Sequence, residues 1–169
     1  MTIPVQAGIE TEAPVPPVIK SVRVRASAAR AFDVFTRGID SWWQKTHHIG
    51  NSPMTRAVVE GWVGGRLYSE QENGSDCQWG TVLKWEPPAR FVLAWQATPQ
   101  WQFEPELAKS SEVEVTFTPC DDGSTLVELE HRFFERHGAG AAAMRGQVDQ
   151  PGGWAGLLEF YRASAEVEA

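Results

Sequence analysis

The amino-acid sequence predicts a two-layer α+β domain, an antiparallel sheet covered by one long C-terminal helix. Three observations carry that expectation. Residues 56–132 break into short segments of apolar–polar alternation separated by turn residues, the pattern of an antiparallel meander with one buried face. Trp154, Leu157, Leu158 and Tyr161 stand at i, i+3, i+4 and i+7, the stripe of a helix with one apolar side. The element order is strand, two short helices, sheet, helix, which leaves a single long helix to cover the apolar sheet face. If that sheet curves, the layers cannot touch everywhere, and a cavity opens between them.

Residues 1–17 carry Pro4, Pro14, Pro16 and Pro17 and no hydrophobic period, so they are expected to form a mobile leader, with 18–169 as one domain. Val18–Arg25 alternates as a first strand. Ser27 then suits an N-cap, Ala28, Ala31, Phe32 and Phe35 share a helical face, and Gly38 is a stop signal. Ile39–Trp43 is expected as a second short helix. Strands follow at Arg56–Glu60 and, after Gly64-Gly65, at Arg66–Gln71; Asn73-Gly74 is a hairpin turn. In the strand Cys77–Trp85, parity places Cys77, Trp79, Thr81, Leu83 and Trp85 on one face, with Gln78, Gly80, Val82 and Lys84 on the other. Pro87-Pro88 ends it. Arg90–Gln96 carries Phe91, Leu93 and Trp95 on one parity, and the loop bounded by Pro99 and Pro105 carries Trp101 and Phe103. The next strand sets Val113, Val115 and Phe117 against Glu112, Glu114, Thr116 and Thr118. After the Asp122-Gly123 turn, Thr125–Arg132 sets Val127, Leu129 and His131 against Leu126, Glu128, Glu130 and Arg132. Ala139–Gln147 reads as a weaker helix, and Trp154–Glu166 as the long one.

With 169 residues, 42% of them hydrophobic, the chain is long enough for one well-buried core. A net charge of −7 argues against a nucleic-acid partner. No apolar run approaches the roughly 18 residues of a membrane span. The N-terminus lacks a basic region followed by an apolar one, so no secretory signal is expected. Cys77 and Cys120 make neither a disulfide framework nor a zinc motif, which points to a reducing cytoplasm. Gly61-Trp62-Val63-Gly64-Gly65 precedes a strand, so it is not a phosphate-binding loop. His47-His48 are adjacent and lack a metal-binding motif, so a hydrogen-bonded loop role is expected. No metal and no cofactor are implied. Glu60 and Arg66 flank the diglycine and could form a structural ion pair.

Eight tryptophans against two tyrosines is the unusual feature of the composition. Each indole N–H needs an acceptor or water when buried, and Trp79, Trp85, Trp95 and Trp154 in one layer are hard to satisfy in a dry core. That favours a lined cavity. His131 shares the inward parity of Val127 and Leu129 and therefore needs a partner. The candidates are Tyr68 and Glu70, which share a face of their strand. Three readings of His131 stay open: a satisfied buried polar pair, a ligand-orienting group, or an acid–base catalyst acting with Glu70. No assembled catalytic set is visible. Trp101 and Phe103 could form a lid. Trp42, Trp62 and Trp101 are the candidates for exposed aromatics on a protein-binding surface.

The residues also carry a family likeness. Val22-Arg23-Val24 with Ala31-Phe32-Asp33-Val34-Phe35 opens it, followed by Ile39-Asp40-Ser41-Trp42-Trp43 and Gly64-Gly65-Arg66-Leu67-Tyr68. Next come Trp79–Pro88, Leu93-Ala94-Trp95, Val113–Phe117 and Gly153-Trp154. In their order and spacing these resemble the SRPBCC superfamily (START-like, birch-pollen-allergen type helix-grip fold). Within it they resemble the branch of homologues of the activator of heat-shock protein 90 ATPase. The resemblance spans about residues 18–165. It implies a curved antiparallel sheet wrapped around a long C-terminal helix, with two short helices after the first strand. It also implies a hydrophobic cavity between sheet and helix, near which Trp43, Trp79, Trp95, Phe117, His131, Trp154 and Tyr161 would lie. Tyr68, Glu70, Leu83, Val115 and Leu158 complete the expected lining. Members bind lipids, hormones or polyketides, and some catalyse cyclisation or dehydration. The expected function is non-enzymatic binding of a small hydrophobic or aromatic molecule by a cytoplasmic monomer or homodimer. The rivals are a polyketide cyclase- or hydratase-like enzyme using His131 and an acid, and a chaperone-associated protein-binding module.

Overall fold

The computed structural model describes residues 15–167. One antiparallel sheet holds β1 (Val18–Val24), β2 (Met54–Val59), β3 (Arg66–Gln71), β4 (Asp76–Glu86), β5 (Arg90–Trp95), β6 (Ser111–Pro119) and β7 (Thr125–Arg132). Its order is β1-β7-β6-β5-β4-β3-β2. The strands from β2 to β7 thus form an unbroken meander, and β1 adds to its far edge. Helix α1 (Ala28–Phe35) and a 3-10 turn (Ile39–Ser41) carry the chain from β1 to β2. A 3-10 segment (Phe134–Gly140), α2 (Ala141–Asp149) and α3 (Trp154–Ala165) complete the chain. The sheet curls around α3, which packs on β1 and α1, so the helix-grip architecture expected from the sequence is present.

Local chemistry sets the helix ends. The Arg30 N–H donates to Ser27 Oγ at 3.2 Å, capping α1, and Thr36 Oγ1 donates to the Phe32 carbonyl at 2.8 Å at its other end. Between α2 and α3 the chain turns so tightly that a Cβ on Gly153 would lie 2.2 Å from the Val148 carbonyl oxygen. Only glycine fits there. Of the expected leader, residues 1–14 lie outside the described residues. Pro16 and Pro17 are tied down: their carbonyls accept from Arg145 at 2.7 and 3.2 Å.

Strand β4 departs from simple alternation. Against β3 the register skips Trp79, and against β5 it skips Leu83. Each extra residue is a bulge that bends the strand and steepens its twist. The parity reading is corrected accordingly. Trp79 and Trp85 stay on the inner side, but Val82, paired with Leu93, fills the core where Leu83 was expected. Leu83 is only half-buried and stands outside the core.

One end of the grip is closed by a phenylalanine-rich core. Phe35 meets Tyr161 at 4.7 Å between ring centroids, Trp42 at 4.9 Å and Phe117 at 5.9 Å, while Phe32 meets Phe117 at 5.2 Å. Val115 and Leu158 are buried in the same core. Trp42 is 2% exposed and donates to the Val34 carbonyl at 3.0 Å, so it is a core residue rather than a surface aromatic. On the outer sheet face, Arg90, Glu114, Arg132, Glu112 and Arg136 form a continuous ladder of ion pairs.

Tyr161 joins the helices, its hydroxyl donating to the Ala31 carbonyl at 2.8 Å. Burial raises the pKa of this phenol. Replacing Tyr161 with Phe should lower unfolding free energy by about 1 kcal/mol in urea titrations, the net worth of one such bond. Tyr161→Ala should cost about 3–5 kcal/mol.

Candidate functional site

At the other end of the grip the layers separate, and a cavity of about 270 Å³ opens between the inner faces of β4 and β5, the loop after Trp43, and the α2–α3 turn. Four of the indoles that line it pack on one another in a closed circuit, which forms one wall. Ring centroids lie 4.8 Å apart for Trp43–Trp79, 5.7 Å for Trp79–Trp95, 5.6 Å for Trp95–Trp154 and 6.0 Å for Trp154–Trp43. Three of the four are close to edge-to-face, the arrangement favoured by the ring quadrupoles.

The indole N–H groups explain how such a wall is tolerated. Trp43 Nε1 donates to the His47 carbonyl at 2.8 Å, Trp79 Nε1 to Ser69 Oγ at 3.1 Å, and Trp154 Nε1 to His131 Nδ1 at 3.0 Å. Three acceptors are thus built into the neighbouring structure. Trp95 Nε1 is buried and has none.

His131 lies outside the cavity lining and is fully buried. An indole N–H can only donate, so Nδ1 of His131 accepts and its proton resides on Nε2. That Nε2–H donates to Ser111 Oγ at 2.8 Å, and the Ser111 hydroxyl in turn donates to His137 Nε2 at 2.8 Å. The chain has one direction, from Trp154 to His137, and it requires both imidazoles to be neutral. Burial, with a smaller contribution from His137, holds the His131 pKa well below the ordinary imidazole value. Burial also lowers that of His137, against the opposing charge of Glu104.

Tyr68 and Glu70 are not its partners. Leu67, Ser69 and Gln71 take the inner parity of β3, which turns Tyr68 and Glu70 outward. Glu70 pairs with Arg56 at 2.9 Å, and Tyr68 lies under the Arg66 guanidinium at 4.0 Å. The expected His131–Glu70 acid–base pair is therefore not assembled, and of the readings left open for His131 the satisfied buried polar group fits the geometry. Phe117, Tyr161, Val115 and Leu158 belong to the closed core, not to the cavity lining. Glu60 and Arg66 do pair, at 3.6 Å.

The cavity rim comes from three loops. Strand β5 continues into a short hairpin closed by the Ala97–Phe103 bridge. At its tip Thr98 Oγ1 accepts from the N–H groups of Gln100 and Gln102, and Trp101 takes a left-handed backbone with φ 59°. Trp101 lines the cavity; Phe103 does not. A Cβ on Gly140 would lie 2.4 Å from Pro99 Cγ, so the hairpin tip rests directly on that glycine. Across the mouth, His47 Nε2 donates to the Gly152 carbonyl at 3.0 Å, tying the loop after Trp43 to the α2–α3 turn. Sequence reasoning placed His47 and His48 in a hydrogen-bonded loop but not at the cavity. The available signal was Trp43, an expected wall residue only four positions earlier. Gln147, Val148 and Gln150 were also missed: the expected weaker helix over Ala139–Gln147 was given no part in the cavity.

Among the described residues no cluster of three His, Cys, Asp or Glu side chains could hold a metal. Among the described residues no helix is long and apolar enough to cross a membrane.

The neutral histidine chain makes stability depend on pH. Both imidazoles have folded-state pKa values below the unfolded value of about 6.5, so the unfolded chain takes up protons first as pH falls. Stability should be steady above about pH 7 and should fall below about pH 6.5, by at most about 1.4 kcal/mol per pH unit per histidine. Urea midpoints measured from pH 8 to 5 check this. His137→Gln, which cannot be protonated, should remove part of the slope.

The family described as activator of Hsp90 ATPase homolog 1-like protein matches residues 25–159. No curated protein matches the sequence. Among solved structures, an anthrahydroquino-gamma-pyrone synthase, determined in a complex, is 36% identical, with 89% of this chain and 97% of that one covered and a TM-score of 0.63. The self-sacrificing resistance protein CalC from Micromonospora echinospora is 27% identical, covering 89% and 94% with a TM-score of 0.64. The Aha1 dimer from Colwellia psychrerythraea shares the fold at 15% identity, covering 90% and 98% with a TM-score of 0.59. The family match across most of the chain, on a curled sheet that grips its last helix, shows that this protein belongs to the activator of Hsp90 ATPase homolog 1-like family.

Proposed function

We propose that the protein binds a planar aromatic molecule in the cavity, against the tryptophan wall. The observation that carries this reading is that Trp43, Trp79, Trp95 and Trp154, packed on one another, line one cavity. The cavity, about 270 Å³, sits near the lower end of the roughly 300–1,000 Å³ usual for small-molecule sites, a size suited to a few fused rings. An occupant that buries about 250 Å² of apolar surface gains about 6 kcal/mol at about 25 cal/mol per Å². Contacts with the rings add about 0.5–1.5 kcal/mol each. Set against ordering costs, this gives dissociation constants on the order of micromolar. Likeness to a synthase whose name specifies a fused aromatic pyrone supports the same ligand class.

A second reading is cyclase-like chemistry on that ligand, favoured by the 36% identity to the synthase. Its acid–base groups would be His47 and His48, the titratable side chains lining the cavity. Mass spectrometry of a ligand recovered after incubation separates the two: unchanged mass and retention time mean binding alone, and a ring-closed product means catalysis.

Titration with anthraquinones should quench tryptophan fluorescence with a micromolar midpoint. Trp79→Ala, which opens the circuit, should raise Kd at least about tenfold, equivalent to about 1.4 kcal/mol. Absence of any quench or thermal shift with aromatic ligands would sink the proposal. Gly140→Val, which forces Pro99 and the Trp101 hairpin off their seat, should speed ligand dissociation in stopped-flow measurements while leaving the four-indole wall in place.

A further inference from the structure

The hydrogen-bond chain that starts at the cavity wall ends at the cavity mouth. His137, its last member, is half-buried in the 3-10 segment Phe134–Gly140. Two left-handed residues bracket that part of the chain, Phe133 at φ 63° and Gly138 at φ 75°. Two side chains between them tie it down: Phe134 stacks on His131 at 4.4 Å, and His137 Nε2 accepts from Ser111 Oγ at 2.8 Å. Beyond the break at Gly138 comes Gly140, on which Pro99 and the Trp101 hairpin rest. His137 is thus the last anchor before the seat of a hairpin that lines the cavity through Trp101.

That anchor holds only while His137 is neutral. Charging the imidazole places a proton on Nε2, where the Ser111 hydroxyl must then accept instead of donate. Ser111 is fully buried and already accepts from His131 Nε2–H, and its Oγ has no third partner among the described residues. Its own O–H would be left without an acceptor. His131 cannot turn over to take it, because a proton on Nδ1 would face the Trp154 indole N–H across 3.0 Å. The chain cannot reverse, so a charged His137 has no place in it.

The surrounding charges favour one direction of exit. Glu104 stands at the base of the hairpin, where its N–H donates to the Gln96 carbonyl at 2.8 Å, and its carboxylate draws positive charge to His137 against the effect of burial. The other charges on the elements packed around the segment have partners. Lys109 pairs with Glu106 beside the 3-10 turn Leu107–Lys109, Glu112 and Glu114 of β6 pair with Arg132, Arg136 and Arg90, and Arg145 pairs with Asp149 on α2. Glu135 and Arg136 belong to the segment itself, and His131 stands across Ser111.

We propose that His137 is the latch of a proton-operated gate: on taking up a proton it leaves Ser111 for the side of Glu104, frees the chain after Gly138, and unseats Pro99 and Trp101 from Gly140. Water entering the vacated place accepts from Ser111, so the bonds from Trp154 to His131 and from His131 to Ser111 are kept. A seated His137 is held neutral, whereas a released one titrates as an ordinary imidazole near about pH 6.5. As pH falls below that value the open state takes up the proton first, and the ratio of open to closed rises by up to about tenfold per pH unit. The gate acts on the mouth whatever the cavity holds.

NMR spectra recorded from pH 8 to 5 test the gate. The nuclear Overhauser contact between Pro99 and Gly140 should weaken, and the Trp101 indole signal should shift with the same midpoint as the His137 imidazole, while the Trp154 indole signal stays in place. Glu104→Gln should move both midpoints together to lower pH. His137→Gln, which offers Ser111 an acceptor and takes no proton, should abolish the shift at Trp101. A Trp101 signal that ignores pH while His137 titrates would overturn the gate, and so would a Trp101 midpoint that survives in His137→Gln. A His137 that stays neutral down to pH 5 overturns it too, as does simultaneous loss of the Trp101 and Trp154 signals, which is global unfolding. Stopped-flow release of 9,10-anthraquinone should be faster at pH 5 than at pH 8 in the wild type and independent of pH in His137→Gln. If anthraquinone does not bind, the aromatic-binding reading is what suffers, and the spectra still decide the gate.

Discussion

The hydrogen bond from Trp154 Nε1 to His131 Nδ1 holds the gripping layers together where the cavity begins. Trp154 is the first residue of α3 and His131 lies near the end of β7, so this bond fixes where the helix enters the sheet. Because the indole only donates, it sets the imidazole tautomer, and the tautomer sets the direction of the bonds through Ser111 to His137. His131 also stacks on Phe134 at 4.4 Å and meets Trp95 at 5.1 Å. One buried imidazole thus supports two of the four indoles, Trp154 by a hydrogen bond and Trp95 by ring contact. Its role is to make the wall rigid, which fits its place outside the lining.

The division of aromatic residues along the grip follows from what each ring needs. Phe32, Phe35, Phe91 and Phe117 carry no polar atom and can pack at the closed end without acceptors. Tryptophan brings an N–H to satisfy: around the cavity the His47 carbonyl, Ser69 and His131 accept from Trp43, Trp79 and Trp154, and at the closed end the Val34 carbonyl accepts from Trp42. The two bulges of β4 contribute to the curl that keeps these ends distinct, because they bend the sheet beside Trp79 and again toward Trp85. A flat sheet would let α3 close on its whole length and leave no space.

Much of this was legible in the sequence, and the failures have physical causes. Alternation in β6 and β7 is unbroken in the structure, so Val113, Val115, Phe117, Val127, Leu129 and His131 were assigned to the inner face correctly. Parity failed in β4 because a bulge resets the alternation; the one mid-strand signal was Gly80 beside the bulged Trp79, and Leu83 was misplaced for that reason. Tyr68 and Glu70 share a face as expected, but it is the outer one. A six-residue strand with tyrosine and glutamate on one side and leucine and serine on the other leaves that choice to tertiary pairing, here with Arg56 and Arg66. The indole wall was visible as a concentration of tryptophan. The limit of the cavity was not, since Phe117 and Tyr161 carry the same inward pattern as Trp95 and Trp154 but lie in the closed core.

The charge distribution completes the logic of the site. The net charge of −7 is carried on the outside, where carboxylates pair with arginines along the outer sheet face. Individually such exposed pairs add little stability. Their placement leaves the inner face of the sheet to uncharged groups: among the described residues, the buried polar side chains of the strands are those of Ser69, Gln71, Ser111, Thr125 and His131, of modest desolvation cost. A cavity of this kind cannot hold an ion cheaply, but it can hold a neutral molecule with oxygen at its edge, because uncharged hydrogen bonds compensate uncharged groups. Entry is then governed by the mouth. There the His47–Gly152 bond and the seat of Pro99 on Gly140 are local contacts between loops, far weaker than the layers they join.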